Sequence, residues 1–252
     1  MTISGKNVLV TGASAGIGAA LARQLAAGGA RLVLVSRSRP DIPTAHHLAV
    51  DLADPLARQN VIADAEAALG PLDLVIHSAG IGLYASSWLA DPAHTRAMFE
   101  LNLLAAVDLA RAAVPGMVAR RQGMIVNIGS VAGKVTLPWF TLYSATKSAL
   151  GTFTEGLRME LYGTGVHAML VCPGYVHTGF QDHVLGGRPP RKIREAKRFA
   201  ITPEQCAAAI VRGIEKNART VMTPRAGWAL VAAARLLPAP LQNQFARYNR
   251  EP

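Results

Sequence analysis

The stretch TGASAGIG at residues 11–18 constrains this chain more than any other, because of what flanks it. The apolar run NVLV precedes it and the helix formers AALARQLAAGGA follow it, so strand, glycine turn and helix stand in immediate succession. Gly12 serves the tight turn after the strand, Gly16 lets backbone approach a pyrophosphate, and Gly18 lets the helix pack closely on the strand. Ser14, Ala15 and Ile17 complete the loop, and the helix N-terminus offers unpaired N–H groups to phosphate oxygens. A glycine triplet alone is weak evidence, but at the start of a βαβ unit it reads as a dinucleotide-binding turn.

The same alternation continues. RLVLVS (31–36) and HLAV (47–50) read as strands, PLARQNVIADAEAAL (55–69) as a helix and LDLVIH (72–77) as a fourth strand. A long helix around residues 92–119, the strand GMIVNIG, a helix containing Tyr143 and the strand VHAMLV follow. Strands that are apolar almost throughout are buried on both faces, and parallel neighbours need long crossovers, which the helices provide. The expected fold class is therefore α/β, a doubly wound parallel sheet with helices on both faces. With 252 residues, 50% of them hydrophobic, one domain spanning 1–252 accommodates the whole pattern.

After Cys172 the regularity gives way to a glycine- and proline-rich insertion, about residues 175–200, long enough for a lid over a site. TPEQCAAAIVRGIEKN then reads as a helix with Thr202 as N-cap and Pro203 at its first position, followed by a strand at TVMT. A C-terminal extension, about 224–252, combines the apolar AGWALVAAARLLPAPL with scattered arginines. That apolar run is too short for a membrane span of about 20 residues, but it suits a helix that covers a pocket or rests on a membrane surface.

Two short stretches point to chemistry. At the end of the second strand an acidic residue would hold the ribose 2′-OH of NAD, whereas an arginine accommodates the 2′-phosphate of NADP. Here the chain reads Val35, Ser36, Arg37, Ser38, Arg39, with no carboxylate before Asp41. NADP(H) is the expected cofactor, with Arg37 as phosphate partner and Ser36 beside it. In PWFTLYSATKSAL, Tyr143 and Lys147 stand four apart with only small residues between them. On a helix these share a face, and a nearby ammonium favours the phenolate, which suits proton transfer to or from an oxygen.

These residues resemble the short-chain dehydrogenase/reductase family over about residues 5–222. The resemblance rests on TGASAGIG, HSAG at 77–80, Asn102 in FELNLLA, Ser130 in VNIGS, YSATK at 143–147 and PGYVHT at 173–178, all in the family's order. It implies a single-domain Rossmann fold and an oxidoreductase that interconverts a ketone and a secondary alcohol by hydride transfer. Tyr143 would be the proton donor, Lys147 would lower its pKa and hold the nicotinamide ribose, and Ser130 would hydrogen-bond the carbonyl oxygen. Asn102 would anchor a water in the proton relay. By the same kinship Asp51 and Leu52 border the adenine and Ala79 and Gly80 the adenosine ribose. Pro173, Gly174, Val176 and Thr178 would also bind the cofactor, with Val176 and Thr178 at the nicotinamide carboxamide. A homodimer or homotetramer built on the long helix near Asn102 and the Tyr143 helix is also implied.

Two departures stand out. His77 and Ser78 replace the family's usual pair of asparagines, and His77 is expected to be structural, supplying a different hydrogen bond. Gly129 stands where a serine commonly precedes the catalytic serine, which is expected to widen the substrate side.

The formal net charge of +10 raises anionic ligands, membranes and nucleic acid as partners. The positive residues gather in RPPRKIREAKR (Arg188 to Arg198) and along the C-terminal segment at Arg219, Arg225, Arg235, Arg247 and Arg250. Neither stretch is a base-reading module, so nucleic acid is not the expected partner. A small, lipophilic carbonyl substrate is expected, with Trp139, Phe140, Tyr175, Phe180 and Trp228 as pocket candidates. Cys172 and Cys206 have no metal-ligand spacing and no metal site is expected. The opening residues lack a secretory pattern, so a cytoplasmic location is expected, with possible peripheral membrane contact through the basic tail. A non-catalytic NADPH-binding sensor, or a membrane- or nucleic-acid-associated binding protein on the same fold, is the alternative. The full Ser, Tyr, Lys and Asn set argues against it, because a binding module needs no proton-transfer constellation.

Overall fold

A computed structural model describes residues 1–187 and 200–248 of the chain. Its centre is a seven-stranded parallel sheet in the order β3-β2-β1-β4-β6-β7-β9. The strands are β1 (Asn7–Thr11), β2 (Arg31–Ser36), β3 (His46–Ala49), β4 (Leu74–His77), β6 (Gly123–Ile128), β7 (Val166–Pro173) and β9 (Thr220–Thr223). Side chains alternate between the two faces of each strand, so one strand feeds two cores. Val8 and Val10 meet Leu21 and Leu25 of α1 (Gly16–Ala27) and Cys206, Ile210 and Ile214 of α6 (Pro203–Glu215). Leu9, from the same strand, meets the opposite layer of α2 (Val61–Leu69), α4 (Ala105–Ala119) and α5 (Thr141–Glu160). The doubly wound α/β architecture is the one expected from the unbroken apolar strands.

Three local differences position the site. The expected helix over 55–69 begins only at Val61, because Asp54 accepts the Leu56 N–H and Arg58 turns back to the Leu52 carbonyl oxygen, closing a compact turn. The expected long helix is α3 (Pro92–Phe99), a π-helical turn (Glu100–Leu104) and α4. The wider turn directs Asn102 inward, where it is buried. A two-stranded parallel sheet, β5 (Leu83–Tyr84) with β8 (Leu185–Gly186), joins the first part of the 175–200 insertion to the loop after β4. Residues 188–199, with the basic cluster, lie outside the described residues.

Thr202 caps α6 with Pro203 at its first turn, as the sequence predicts, and Gln205 completes a reciprocal capping box. The chain ends in α7 (Gly227–Leu236) and α8 (Pro238–Tyr248).

Candidate active site

Strand order reverses between β1 and β4, and the carboxyl ends of β1, β4, β6 and β7 open into one crevice there. Gly12 closes the turn after β1 with φ 66°, and a Cβ there would stand 2.7 Å from Ala79 Cα. A Cβ on Gly18 would stand 2.3 Å from the Gly12 carbonyl oxygen, so helix and strand approach as closely as backbone allows. Thr11 Oγ1 accepts the N–H groups of Ser78 and Ala79, both at 3.0 Å, and thereby pins the 77–80 turn to the glycine loop. Ala15, at the N-cap of α1, supplies no side-chain hydrogen bond, and the helix's first turn carries no acidic residue. Its N–H groups therefore face the crevice without a competing anion.

On the β2 side, Ser36 is buried and donates to the Ser38 carbonyl oxygen at 2.7 Å, and His47 Nε2 lies 3.0 Å from the Ser36 carbonyl oxygen. This fixes the loop from which Arg37 projects, exposed and free of a carboxylate partner among the ion pairs of the described residues. Asp51 is exposed and Leu52 buried. Leu52 is held from behind by Arg58, a buried guanidinium that donates to its carbonyl oxygen at 3.1 Å and pairs with Glu100 at 2.9 Å and Asp108 at 2.7 Å. Arg58 thus ties the Asp51–Leu52 loop to the turn that carries Asn102.

Tyr143, Lys147 and Ser130 converge at the ends of α5 and β6. Ser130 lies in extended backbone at φ −165° and accepts the Ala132 N–H at 3.0 Å, which holds its hydroxyl at the start of a 3₁₀ turn (Val131–Gly133). That hydroxyl is also within hydrogen-bonding reach of the Tyr143 phenol. Burial pushes the phenol up to about 12, and the Ser130 hydroxyl works against that rise. Lys147 is held down to about 8 by burial and donates from Nζ to the Ile128 carbonyl oxygen at 2.9 Å. Its Nζ lies 5.8 Å from the Tyr143 ring centroid. The ammonium thus stands over the Tyr143 ring while it is held to β6, and the Ser130 hydroxyl favours the phenolate.

Asn102 completes the set. Its Oδ1 accepts the Ile81 N–H at 2.9 Å, and its Nδ2 donates to the Ile81 carbonyl oxygen at 2.9 Å and to Thr146 Oγ1 at 3.1 Å. A Cβ on Gly80 would stand 3.1 Å from Asn102 Oδ1 and 3.4 Å from Lys147 Nζ, so all three meet at one point. Small residues between Tyr143 and Lys147 have a packing reason as well: Thr146 receives Asn102, Ser144 is buried, and Gly133 presses on the Lys147 backbone, where a Cβ would stand 2.7 Å from it.

His77 is buried at the end of β4 and bonds through Nδ1 to Asn127 Oδ1, while Asn127 Nδ2 donates to Thr154 Oγ1 at 2.9 Å. The replaced asparagine is thus answered by a bridge from β4 through β6 to α5. Burial holds His77 down at about 4, so the imidazole is neutral. Gly129 does not widen the substrate side. A Cβ there would stand 3.0 Å from Leu170 Cδ1 and 3.0 Å from the Val171 carbonyl oxygen, so the glycine answers the close approach of β7.

The start of the 175–200 insertion returns to the glycine loop. Thr178 caps a 3₁₀ turn (Gly179–His183), and its Cγ2 lies 3.1 Å from where a Cβ on Gly16 would sit. Gly174 donates to the Thr223 carbonyl oxygen at 2.8 Å, His177 donates to the Ile201 carbonyl oxygen and Ile201 N–H to Tyr175, and Val176 bridges Ile201, so the insertion is stapled where it leaves and re-enters the domain. Phe140 stacks on Tyr143 with centroids 4.1 Å apart, Tyr84 stacks on Phe140 at 4.4 Å, and Phe180 tilts toward Tyr143 at 5.7 Å. Trp139 and Trp228 are 40% and 47% exposed, and Tyr175 is half-buried, so of the five expected aromatics Phe140 and Phe180 make the wall beside the phenol.

A family model described as short chain dehydrogenase matches residues 6–186. The "Ketoacyl reductase HetN" of Nostoc sp. is 36% identical over 236 residues, 88% of this chain and 79% of that protein. The chain belongs to the short-chain dehydrogenase/reductase family. A short-chain dehydrogenase/reductase from Burkholderia phymatum in complex with NAD superposes with a TM-score of 0.84 at 24% identity, covering 96% of both chains. A short-chain dehydrogenase from Burkholderia cenocepacia in complex with NADP superposes with a TM-score of 0.80 at 25% identity, covering 99% of both chains.

The residues present in this short-chain dehydrogenase/reductase fit a dinucleotide. Gly16 and Gly80 leave room against Thr178, Asn102 and Lys147 that a side chain would fill, and the α1 N-terminus is open to a pyrophosphate. Sequence reasoning missed Thr11, Arg58, Tyr84, Asn127 and Thr154. Thr11 had a signal, standing immediately before the first glycine. The other four support the site through partners distant in sequence, which no local pattern discloses.

Proposed function

We propose that the protein is an NADPH-dependent reductase, or the reverse alcohol dehydrogenase, that interconverts a ketone and a secondary alcohol, with Tyr143 as proton donor and a lipophilic carbonyl substrate. The observation that carries this reading is the convergence of the Ser130 hydroxyl and the Tyr143 phenol, with Lys147 Nζ and Asn102 directly behind. The dinucleotide supplies or accepts the hydride. Ser130 and Tyr143 would hold the substrate oxygen with two hydroxyl donors. As negative charge develops on that oxygen, Tyr143 gives up its proton, which a phenol at about 12 retains throughout the neutral range until an oxyanion forms beside it. Lys147, at about 8, is able to exchange a proton near physiological pH and so to replace the one lost, with Asn102 and Thr146 fixing the helix turn it stands on.

Arg37 would hold the 2′-phosphate and Ser36 its loop, while Asp51, Leu52, Ala79 and Gly80 would border the adenosine. The absence of a carboxylate from Val35 to Pro40 supports NADPH over NADH. The aromatic wall of Tyr84, Phe140 and Phe180 supports a lipophilic substrate, and the name of the Nostoc relative supports a ketone carried on an acyl chain. The test is NADPH consumption by the purified protein with a panel running from small aromatic ketones to long-chain 3-keto esters and thioesters. Turnover that rises with chain length supports the reading. Turnover confined to small polar ketones removes the lipophilic substrate, and faster NADH oxidation removes the cofactor assignment.

A further inference from the structure

The C-terminal helices carry an unusual outer face. On α7 the inner side is fully used: Val231 is buried, and Leu230 and Ala234 pack with it on Val135, Leu170, Cys172 and Met222. Leu241 and Phe245, one turn apart on α8, close over the same cluster. A short helix whose apolar stripe is satisfied inward should present polar residues outward. Instead Trp228, Ala232 and Leu236, spaced by four, form an exposed stripe, with Trp228 47% and Leu236 79% exposed. Ala229 lies beside them, and the connection to α8 continues it with Leu237, 59% exposed, and exposed Pro238, Ala239 and Pro240.

The charged residues of this segment are of one sign, and the carboxylate that faces it, Glu155 of α5, lies among Lys134, Arg158 and Arg235. The sequence from Asn217 to Arg250 contains no Asp or Glu, while Arg219, Arg225, Arg235 and Arg247 are all exposed. We propose that the outward face of α7 and its connection to α8 form a docking surface for an anionic lipid bilayer. Exposed apolar residues beside clustered cations, with Trp among them, match the interface of an acidic membrane, where headgroups are negative and the acyl boundary lies just beneath. A helix of 10 residues is about 15 Å long, half the hydrocarbon thickness, so it lies in the interface and does not span it. A second copy of the chain is the poorer occupant. Each copy carries a formal charge of +10, and a two-fold contact would place this cationic surface against itself.

The experiment is sedimentation of the full chain with large vesicles of pure phosphatidylcholine or of phosphatidylcholine mixed with phosphatidylserine, at low and high salt. Co-sedimentation with the anionic vesicles, weakened by salt and absent with the neutral ones, is expected. Trp228→Ser with Leu236→Ser should lower the partition coefficient at least about tenfold. Arg225→Gln with Arg235→Gln should lower it about fivefold per charge, independently of any effect of the apolar pair on folding. Circular dichroism and light scattering on each variant check fold and assembly. Failure to bind anionic vesicles overturns the proposal, as does binding that neither pair of substitutions weakens. Loss of an oligomer in the Trp228 and Leu236 variant, without vesicle binding by the parent, assigns the face to a second copy instead.

Discussion

Lys147 Nζ donates a 2.9 Å hydrogen bond to the Ile128 carbonyl oxygen, fastening the helix of Tyr143 to the end of β6. Burial leaves a cation whose charge is only weakly retained, held down to about 8 although the bond itself favours the charged form. Tyr143, pushed up to about 12, stays protonated over the same range. The alkaline limb of ketone reduction should therefore follow Lys147 rather than Tyr143, with kcat/KM falling as pH rises through about 8. Lys147→Arg, which stays charged, should remove that limb even where its overall rate is lower. A pH profile of the variant with the same break as the parent assigns the titration elsewhere.

His77 provides a stability prediction. Its folded pKa of about 4 lies below the ordinary 6.5, so the unfolded chain binds the extra proton first. The stability that neutral His77 permits is fully present above pH 6.5 and is lost progressively as pH falls to about 4, amounting to about 3 kcal/mol. His77→Asn keeps a polar partner for Asn127 and has no charge to gain. Thermal melts from pH 7 to pH 4 should show the parent losing more than the variant, and parallel losses would contradict the assignment.

Arg58 is the buried hinge between the Leu52 loop and the Asn102 turn. Its carboxylate partners are part-exposed, at 29% for Glu100 and 41% for Asp108, so they recover water when the guanidinium is removed. Arg58→Met should then cost about 2–3 kcal/mol, less than the loss of one member of a fully buried pair. It should also raise the KM for the dinucleotide more than it lowers kcat, because the loop proposed to border the adenosine loosens while Tyr143 and Ser130 keep their support. Denaturant melts with steady-state kinetics test both parts.

Arg37→Asp removes the cation proposed for the 2′-phosphate and places a carboxylate where a free ribose hydroxyl is held. The preference for NADPH over NADH should fall by roughly 10–100-fold, the worth of one charge-assisted contact. Equilibrium binding of the two dinucleotides measures it directly, and an unchanged ratio moves the assignment to another residue.

Much of this was legible in the chain. Unbroken apolar strands separated by helices dictated the parallel sheet, and the glycine turn, Ser130, Tyr143 and Lys147 lie together as their motifs imply. What stayed hidden depends on contacts between remote segments. Spacing put Tyr143 and Lys147 on one face but did not show that the ammonium is fastened to the Ile128 carbonyl oxygen. Helical periodicity ran through residues 92–119 and concealed the π turn, since one inserted residue alters phase without altering composition. Arg58 reads as a surface residue in PLARQN and is buried only because Glu100 and Asp108 come to it from another helix. Gly129 looked like space for a substrate because the sequence says nothing of how near β7 passes.

The central claim is that Tyr143 moves the proton in a hydride-transfer reaction, and the most direct measurement is Tyr143→Phe. The ring remains to stack on Phe140, so fold and dinucleotide affinity should stay close to the parent in equilibrium titration with NADPH. Turnover of any ketone accepted by the parent should fall by about 10²–10⁴-fold, the usual contribution of a positioned general acid. Turnover retained beside intact NADPH binding would contradict the mechanism proposed for this site.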